Sequence, residues 1–533
     1  GVTEGNAHPH ADCDGQIFVV HNGIIENYRE LQEQLIKKGH RFRSQTDTET
    51  LPHLIEQIRR TAPALPLEDA VAKALRQVKG TYGIVVCDAR EPDKIVAARN
   101  FSPLVLGIGQ GEGLVASDPS AITKITTSVV YLHDGEVAAV TPTGYRIRTL
   151  ANKEIDRKTQ LFEGSATAAS KGKFEHFMLK EIHEEPDAVR NSIRGRIGPG
   201  GTAHLGGLER AEGKLRNIDR LTICACGTAY LASMVGEYML EEYAGLSTEV
   251  DYASEFRYRK PVFSPRDAFL VVSQSGETAD TLAALYEAKQ KGVPTLGIVN
   301  AVGSTMSRET DAGLYQHIGP EVGVAATKSF ASQLALFALL AVYLGRQRSL
   351  SLTMGERIVR ELTRIPALME KVLAREAEIK RLAKKYLKYG NFLFIGRKYN
   401  FPIAYEGALK LKAVAYVHAD GYGAGERKHG PIAMVGKDFP AVAIAPQDSV
   451  YEKMLSNIAE LKARGVKVLA IGTEGDRKLA AIADDVFYIP KTLEMLTPLL
   501  TALPLHLFAY YTGVLRGHDV DKPRNLAKSV TVE

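Results

Sequence analysis

A short stretch after an apolar run carries an unusual number of hydroxyl side chains. Residues 269–272 are apolar, and the residues after 278 show helical periodicity. Between them the chain places Ser273, Gln274, Ser275 and Thr278. One hydroxyl is enough to cap the first turn of a helix, so capping explains only part of the cluster. Hydroxyl donors and the free N–H groups of a helix N-terminus suit a phosphate, so the stretch favours an anion site over a plain helix cap.

The sequence around this stretch alternates between strand and helix patterns and contains an internal repeat. Residues 221–227 correspond to residues 391–397, and residues 268–300 correspond to residues 440–472. The alternation predicts parallel α/β units, and the repeat predicts two doubly wound domains of the α/β class. The second copy has PQDSVY where the first has SQSGET, so it lacks the hydroxyl cluster. We therefore expect one anion site, at the carboxyl ends of the first copy's strands.

The first part of the chain, residues 1–142, has short apolar runs bounded by turn residues, with helical patterns among them. This arrangement predicts an α+β domain with antiparallel sheets. The GIGQGEG segment at residues 107–113 is followed by a strand pattern, which favours a hairpin over a nucleotide-binding loop. Residues 143–211 are rich in Gly, Ser and charged residues around one helical pattern, so they predict a linker that contains a helix.

The composition is that of a soluble globular protein. Of 533 residues, 45% are hydrophobic and 24% are charged, and the formal net charge is only +5, which argues against a nucleic-acid partner. The four cysteines show no paired spacing, so we expect a reducing, cytoplasmic location. The longest apolar stretch, residues 334–344, is about half of a membrane span and predicts a buried helix instead of a membrane anchor.

Three features suggest a metal site or a nucleophile only weakly. His8 and His10 flank a proline, and Cys224 and Cys226 lie in an apolar strand pattern, so we predict a metal at neither pair. Cys13 lies in the turn-like sequence ADCDG before a strand, and we interpret it as a bystander. The sequence therefore predicts no metal.

Motifs along the whole chain resemble those of one enzyme family. In order they are NAHPH (6–10), HNGIIENY (21–28), QTDTE (45–49), CGTAY (226–230), ASEFRYRK (253–260), SQSGETADT (273–281), GVAATK (323–328), EGALKLK (406–412), KHGP (428–431) and PRNLAKSVTVE (523–533). They are similar to motifs of the isomerizing glutamine:fructose-6-phosphate aminotransferases, also called glucosamine-6-phosphate synthases. The resemblance implies an N-terminal-nucleophile-type glutaminase domain of the α+β class, followed by two α/β sugar isomerase (SIS) domains.

The resemblance also implies a domain organisation and a reaction. It assigns residues 1–142 to the glutaminase domain, 212–351 and 383–523 to the SIS domains, and 524–533 to a C-terminal tail that enters the active site. The implied reaction transfers the amide nitrogen of L-glutamine to D-fructose 6-phosphate and isomerises the product to D-glucosamine 6-phosphate. It uses no metal or organic cofactor, and the family usually forms homodimers.

The resemblance places the sugar substrate at the hydroxyl-rich stretch. The implied ligands of the sugar phosphate are Thr228, Ser273, Gln274, Ser275, Thr278, Val324 and Ala527. Lys528 is the implied Schiff-base lysine, His429 the residue that opens the sugar ring, and Lys410 a further catalytic group. Imidazole suits ring opening because its pKa lies near neutrality. By residue type alone, the two lysines are equally consistent with solvated surface charges, and His429 with a hydrogen-bonded loop residue.

Three positions depart from the family pattern. Ala229 stands where members of the family usually carry serine, and Ala326 where they often do. Ala413 stands where they carry the glutamate that moves a proton between C1 and C2. A methyl group cannot accept a proton, so we expect either that another carboxylate takes over or that isomerisation is slowed. The candidates for that carboxylate are Glu406, Asp420 and Glu426.

The glutaminase half contains residues that the resemblance implies in glutamine binding. Asn22 and Gly23 offer an amide and a backbone N–H to an oxyanion, and Asp47 is implied to hold the α-ammonium group of glutamine. By residue type alone, Asn22 and Gly23 also fit a plain turn, and Asp47 a helix cap. The family's nucleophile is a cysteine at the mature N-terminus, whose own α-amino group is the base. The sequence begins at Gly1, so we expect a truncated glutaminase domain without the glutamine-hydrolysing step.

Two other functions fit the same residues. Ala229 and Ala413 suit a sugar-phosphate-binding regulator with a degenerate site. An ammonia-dependent sugar-phosphate isomerase or deaminase would leave the glutaminase half idle. Turnover with free ammonium separates the regulator from both enzymes, and turnover with glutamine separates the aminotransferase from the ammonia-dependent enzyme.

Overall fold

The computed structural model describes residues 3–162, 170–198, 200 and 202–530. Outside these ranges lie Gly1 and residue 2 of the expected glutaminase domain, residues 163–169, 199 and 201 of the expected linker, and residues 531–533 of the expected tail. The chain forms two compact units. The first comprises the described residues up to Ser170 together with Val530, and the second is Lys171–Ser529.

Short strands with alternating burial build two antiparallel sheets in the first unit. The strands are β1 (His10–Ala11), β2 (Ile17–Ile25), β3 (Gly80–Asp88), β4 (Ile95–Asn100), β5 (Val105–Ile108), β6 (Gly113–Ala116), β7 (Ser128–Tyr131), β8 (Glu136–Thr141), β9 (Gly144–Thr149), β10 (Glu154–Ile155) and β11 (Gln160–Leu161). The helices are α1 (Tyr28–Lys37), α2 (Thr50–Thr61) and α3 (Leu67–Leu75). The sheet orders are β1-β2-β3-β4-β8-β9-β10 and β11-β7-β5-β6. The predicted α+β class is confirmed.

The core of the first unit lies where α2 and α3 cover the larger sheet. Leu51 and Ile55 of α2 pack with Val71 of α3 and with Ile17 of β2 in one buried cluster. The GIGQGEG segment forms the predicted hairpin, because β5 and β6 pair antiparallel. The sheets continue beyond residue 142, where we placed the end of this domain, since β9 pairs with β8 and β11 with β7.

Two parallel five-stranded sheets form the second unit. The first has β12 (Arg220–Ala225), β13 (Ser247–Tyr252), β14 (Asp267–Ser273), β15 (Thr295–Val299) and β16 (Ala312–Tyr315); the second has β17 (Asn391–Gly396), β18 (His418–Gly423), β19 (Ala441–Ala445), β20 (Val468–Thr473) and β21 (Asp485–Ile489). Their orders are β13-β12-β14-β15-β16 and β18-β17-β19-β20-β21. The two orders are equivalent, which confirms the predicted pair of doubly wound α/β domains.

Helices surround both sheets of the second unit. They are α4 (Phe177–His183), α5 (Glu185–Ile193), α6 (Glu212–Leu215), α7 (Gly227–Met239), α8 (Ala253–Phe256), α9 (Ala279–Gln290), α10 (Thr305–Glu309), α11 (Lys328–Arg346), α12 (Leu352–Leu373), α13 (Glu376–Tyr386), α14 (Phe401–Ala415), α15 (Tyr451–Lys462), α16 (Arg477–Ile482) and α17 (Thr497–Leu515). Where we predicted one helix in the linker, the chain forms α4 and α5. The break follows from Pro186, which lacks an N–H and occupies the first turn of α5.

Two helical segments are long and apolar enough to cross a membrane by length and composition: Lys328–Arg346 and Glu494–Leu515. Inside the structure, 94% and 89% of their apolar windows are buried. Both contribute to the core that connects the two sheets. The expectation of a buried helix at residues 334–344 is confirmed, since that stretch lies within α11.

Candidate active site

The hydroxyl-rich stretch and Thr228 lie at the same edge of the first parallel sheet. Strands β12 and β14 are neighbours, with Ala225 opposite Val272, so the loops that follow them leave the sheet side by side. The chain order reverses here, because β13 lies on the other side of β12. Such switch points, at the carboxyl ends of parallel strands, are where open α/β sheets bind their ligands.

Hydrogen bonds between hydroxyls and backbone hold the loop after β14 in a tight turn. Ser273 Oγ accepts the N–H of Gly276 at 3.0 Å and lies 3.3 Å from Thr278 Oγ1. Ser275 Oγ accepts the N–H of Glu277 at 3.2 Å. A hydroxyl that accepts an N–H still has its own O–H to donate. The turn therefore gathers three hydroxyl groups as potential donors to an anion.

Two further features of this loop favour a bound anion over a plain cap. Gly276 has φ +67°, and a Cβ there would lie 2.1 Å from Ser304 Oγ, so this tight turn requires glycine. Thr278 is the N-cap residue of α9, yet its side chain makes no capping hydrogen bond within the described chain. The first turn of α9 thus keeps N–H groups that can meet a ligand. The backbone of Gln274 anchors the start of this loop to the residue that follows β15, because the backbone carbonyl of Gln274 accepts the N–H of Asn300 at 3.2 Å.

Lys410 reaches this edge from the second repeat. It lies on α14 and is only 2% exposed, so it is not a solvated surface charge. Its Nζ donates to Thr228 Oγ1 at 2.6 Å and lies 2.5 Å from Glu406 Oε1. The ammonium group of Lys410 is therefore held beside Thr228, an implied ligand of the sugar phosphate. The buried carboxylate of Glu406 balances its charge.

A buried histidine that the sequence did not single out extends this network. His506 Nδ1 lies 2.7 Å from Glu185 Oε1, and its Nε2 lies 3.3 Å from Glu406 Oε1. Burial alone would lower the pKa of His506, but the two carboxylates raise it to about 9. For Glu406, burial opposes ionisation, but Lys410 and His506 outweigh it and lower its pKa. Burial raises the pKa of Glu185, an effect that the contact with His506 opposes. Carboxyl and cationic groups thus alternate from Glu185 to Lys410.

Lys528 is tied to the edge of the same sheet by a buried carboxylate. Its Nζ donates to Glu321 Oε2 at 2.6 Å and to the carbonyl of Gly323 at 2.8 Å. The tail is also held upstream, because the Val324 N–H donates to the carbonyl of Asp521 at 3.1 Å. Lys528 is therefore not a freely solvated lysine of a tail. Since its N–H is used, Val324 offers a ligand its carbonyl oxygen.

A second carboxylate lies beside this pair. Glu181, on α4, accepts the backbone N–H groups of Val322 and Gly323. Burial and the nearby Glu321 raise the pKa of Glu181 to about 7. Burial also opposes ionisation of Glu321, but the Lys528 ammonium lowers its pKa. Two carboxyl groups whose pKa values are pushed apart are the usual arrangement of an acid and a base at neutral pH.

Two of the predicted catalytic-site residues make no such contacts within the described chain. His429 lies on an exposed turn after β18, where its N–H donates to the carbonyl of Glu426 at 2.9 Å. Ala527 is exposed on the tail beside Lys528. The structure thus brings together Lys410, Thr228 and the loop after β14, and it leaves His429 at the surface.

The environment of Ala413 narrows the choice of a substitute carboxylate. Ala413 is half-buried on α14, three residues after Lys410. Of the three candidate carboxylates, Glu406 is the one that contacts Lys410. Asp420 instead pairs with the exposed lysine that precedes Ala413, at 3.1 Å, and Glu426 is exposed on a turn.

The proposed glutamine residues gather at the end of β2 in the first unit. Asn22 and Gly23 lie within this strand, opposite Gly83 and Tyr82 of β3, so they do not form a plain turn. Asn22 Nδ2 donates to Ser117 Oγ at 2.8 Å. Gly23 has φ +147°, and a Cβ there would lie 2.0 Å from a backbone oxygen of β3. The strand can therefore only follow this path with glycine.

Asp47 joins the loop before α2 to the same strand. Its Oδ2 accepts the N–H of Ile25 at 2.7 Å. The N-cap residue of α2 is Glu49, so the helix-cap interpretation of Asp47 does not hold. The carboxylate instead bonds the strand two residues beyond Gly23, and its other oxygen accepts no hydrogen bond from the described residues.

Two family models match the chain. A glutamine amidotransferase domain matches residues 2–124, and a SIS domain matches residues 214–343 and 385–516. Together with the hydroxyl-rich loop at the edge of the first parallel sheet, these matches define a glutamine amidotransferase domain followed by a pair of sugar isomerase domains.

Comparison with individual relatives identifies the family of this chain within that class. The chain is 50% identical over 532 residues to the isomerizing glutamine–fructose-6-phosphate aminotransferase of Chlorobaculum tepidum, and 49% identical over 534 residues to one from Thermus thermophilus. Each match covers 100% of this chain and 87% of the relative. A solved C-terminal domain of glucosamine-fructose-6-phosphate aminotransferase from Francisella tularensis superposes with a TM-score of 0.64 at 36% identity, over 66% of this chain and 100% of that domain. The chain belongs to the isomerizing glutamine–fructose-6-phosphate aminotransferase family, and it is an enzyme.

One expectation from the sequence conflicts with these matches. We expected the glutamine-hydrolysing step to be absent, because the sequence begins at Gly1. The amidotransferase model nevertheless matches from residue 2 to residue 124, and Asn22, Gly23 and Asp47 lie together in that domain. The expectation was wrong, since it rested only on the residue at which the sequence begins.

Proposed function

We propose that this protein transfers the amide nitrogen of L-glutamine to D-fructose 6-phosphate and isomerises the product to D-glucosamine 6-phosphate. The observation that carries the proposal is the position of Lys528, whose Nζ is held by Glu321 and Gly323 next to Val324. The enzyme works in the cytoplasm as a homodimer, as its family and composition suggest. Neither metal nor organic cofactor takes part in the reaction.

The loop after β14 binds the phosphate group in this proposal. Ser273, Ser275 and Thr278 donate hydroxyl hydrogens, and the N-terminus of α9 adds backbone N–H groups and a favourable dipole. Gln274 and Thr228 complete the set of neutral donors. Lys410 supplies the fixed positive charge behind Thr228, which an anionic ligand needs when no metal is present.

Lys528 forms the covalent bond to the open sugar. Once its ammonium has given a proton to a carboxylate, Nζ attacks C2 of fructose 6-phosphate and the carbonyl oxygen takes up protons and leaves as water. Glu181, whose pKa lies at about 7, suits the role of proton carrier. Glu321 keeps Lys528 in position. The product of this step is an imine between Nζ and C2.

The first unit supplies the nitrogen. Asp47 holds the α-ammonium group of glutamine, while the Gly23 N–H and the Asn22 amide donate to the oxyanion that forms at the side-chain carbonyl. This arrangement is supported by the position of all three residues at the end of β2. The ammonia that is released then replaces the lysine at C2.

Trapping the imine tests the role of Lys528. The protein is incubated with fructose 6-phosphate and sodium cyanoborohydride, digested, and the modified peptide is identified by mass spectrometry. We expect the sugar phosphate on Lys528, no adduct in Lys528→Arg, and an unchanged adduct in Lys522→Arg, since Lys522 is an exposed lysine two residues before the tail. An adduct on another lysine, or none at all, contradicts the proposal.

The two competing functions are separated by the nitrogen source. The regulator is favoured by Ala229, where the family usually carries serine, and by Ala413, which removes a carboxylate from α14. A regulator yields no glucosamine 6-phosphate with glutamine or with ammonium, and an ammonia-dependent enzyme yields it with ammonium alone. We expect formation with glutamine, and formation only with ammonium contradicts the glutamine-dependent reaction.

A further inference from the structure

A cluster of four potential metal ligands lies in the first unit, apart from the residues that we assign to glutamine. Cys13 lies in the turn between β1 and β2, His40 follows α1, and His53 and Glu56 lie one turn apart on α2. His40, His53 and Glu56 are 1–4% exposed, and Cys13 is half-buried. One ligand atom of each residue lies within 4.8 Å of the other three.

Four of the distances between the ligand atoms lie close to the edges of a tetrahedron around a metal. Cys13 Sγ lies 3.7 Å from His40 Nδ1 and 3.5 Å from His53 Nδ1. Glu56 Oε2 lies 3.0 Å from His40 Nδ1 and 3.3 Å from His53 Nδ1. Bonds of about 2.3 Å from zinc to sulfur and about 2.0–2.1 Å to nitrogen or oxygen give tetrahedral edges of about 3.3–3.6 Å.

Neighbouring groups orient both imidazoles with Nδ1 towards the centre. His40 Nε2 lies 2.9 Å from Gln57 Oε1, and His53 Nε2 lies 3.6 Å from Glu49 Oε1. An imidazole that carries its proton on Nε2, facing an oxygen acceptor, has a lone pair at Nδ1. With both imidazoles in this tautomer, two lone pairs, a sulfur and a carboxylate oxygen converge on one point, and a cation there removes their mutual repulsion. Ligating histidines usually show this pattern.

Neighbouring groups also hold the sulfur of Cys13 and the carboxylate of Glu56. The N–H of Arg41 donates to Cys13 Sγ at 3.5 Å and fixes the position of the sulfur. The Arg60 guanidinium pairs with Glu56 Oε1, so that Oε2 is the oxygen that faces the cluster. Cys13, His40 and Glu56 are thereby each bonded to a residue outside the cluster, and His53 Nε2 lies 3.6 Å from Glu49 Oε1.

We propose that Cys13, His40, His53 and Glu56 bind one Zn²⁺ ion. A thiolate, two imidazoles and a carboxylate suit zinc, whereas Ca²⁺ and Mg²⁺ prefer oxygen ligands and iron–sulfur clusters need several cysteines. Four protein ligands close the coordination shell, so the ion is structural and does not carry out the reaction. Binding releases the thiol proton of Cys13 to solvent. The proposal replaces the interpretation of Cys13 as a bystander.

The zinc ion would hold the loop that presents Asp47. The loop lies between His40 and His53, so both of its ends are attached to the site. Cys13 adds the turn that enters β2, the strand that carries Asn22 and Gly23. We therefore expect the ion to stabilise the first unit around the glutamine residues.

Metal analysis of the purified protein tests the site directly. The protein and its variants are prepared without chelators, dialysed, and measured by plasma mass spectrometry. We expect about one zinc per chain in the wild type, a loss of most of it in Cys13→Ser and His53→Ala, and no change in Cys87→Ser, an exposed cysteine at the end of β3. Absence of zinc from the wild type, or equal zinc in all variants, overturns the proposal.

A second measurement uses only the wild-type protein, so it does not depend on how the variants fold. The metal is removed with a chelator and replaced with Co²⁺ or Zn²⁺. We expect the visible bands of tetrahedral Co²⁺ with a thiolate-to-metal charge-transfer band, and a Tm that Zn²⁺ restores by roughly 5–10 °C at about 100 times its Kd. An octahedral Co²⁺ spectrum, or a Tm that is insensitive to both chelator and Zn²⁺, shows that the cluster is only hydrogen-bonded.

Discussion

Replacing His506 with asparagine is expected to remove a large part of the pH dependence of stability in the second unit. His506 is fully buried between Glu185 and Glu406. Asparagine keeps a hydrogen-bond donor near the position of Nδ1 but cannot carry a charge. The substitution therefore isolates the contribution of the imidazolium from that of its shape.

The magnitude follows from the raised pKa of His506. Its folded-state pKa is raised from 6.5 to about 9, so the folded protein holds this proton more tightly than the unfolded chain. The resulting stabilisation is fully present below about pH 6.5 and is lost as the pH rises through about 9. The difference corresponds to about 3 kcal/mol, since each pKa unit is worth about 1.36 kcal/mol. The free energy of unfolding of the wild type should fall by that much more than that of His506→Asn between about pH 6 and pH 10.

Urea unfolding at several pH values measures this difference. The sequence contains no tryptophan, so circular dichroism is the suitable signal. Subtracting the variant from the wild type cancels the titration of the groups that do not interact with His506, so the difference reports on His506 together with Glu185 and Glu406. His418→Asn, at a histidine whose side chain is 60% exposed, serves as the control for loss of an imidazole. If His506→Asn keeps the same pH dependence as the wild type, the network is not charged as described.

Four further substitutions test the proposed sugar site. Gly276→Ala places a methyl group 2.1 Å from Ser304 Oγ at φ +67°; a cost of about 1–3 kcal/mol should raise the KM for fructose 6-phosphate roughly tenfold and leave glutamine hydrolysis unchanged. Ser273→Ala removes a donor and the acceptor of the Gly276 N–H, and should weaken inhibition by inorganic phosphate roughly tenfold. Glu181→Gln removes a group with a pKa of about 7, so the pH–rate profile should lose its change near neutrality. Ala413→Glu should raise glucosamine 6-phosphate formation several-fold by restoring a base.

Matched controls accompany the first two of these substitutions. Gly292→Ala imposes a similar backbone strain, at φ +72°, with open space around the new methyl group, so it should leave the KM unchanged. Ser307→Ala removes a hydroxyl of α10 that bonds a backbone carbonyl outside the loop. Equal phosphate inhibition in Ser273→Ala and Ser307→Ala contradicts the anion site. An unchanged pH–rate profile in Glu181→Gln, or an unchanged rate in Ala413→Glu, shows that another group carries the proton.

The features that depend on short stretches of sequence were predictable. Strand and helix periodicity indicated both α/β repeats, and the carboxyl ends of β12 and β14 had to meet because neighbouring parallel strands end at one edge. The pattern did not show that the linker helix is interrupted, although Pro186 was the signal for it. Nor did it show that β9 to β11 extend the first unit, since short polar strands have weak periodicity.

The charged networks were not predictable from one sequence. Glu185, Glu406 and His506 are separated by 100 residues or more, and each lies in an ordinary helical pattern. Local periodicity carries no information about which helices pack together, so their mutual contacts only emerge in the fold. Of the residues in these networks, Glu321 was the easiest to suspect from the sequence, because it precedes the GVAATK motif by two residues. No sequence pattern pointed to Cys13 as a metal ligand, since its proposed co-ligands lie 27 to 43 residues further along the chain.

The contact between Lys410 and Thr228 makes the two repeats chemically dependent on each other. The second repeat lacks a hydroxyl-rich loop of its own, yet its helix α14 places an ammonium group against the first repeat's strand edge. Gene duplication has therefore not produced two interchangeable modules. The first copy supplies the hydroxyl-rich loop, and the second copy supplies the positive charge of Lys410. Neither copy can be exchanged for that of a distant relative unless Thr228, Glu406 and Lys410 are inherited together.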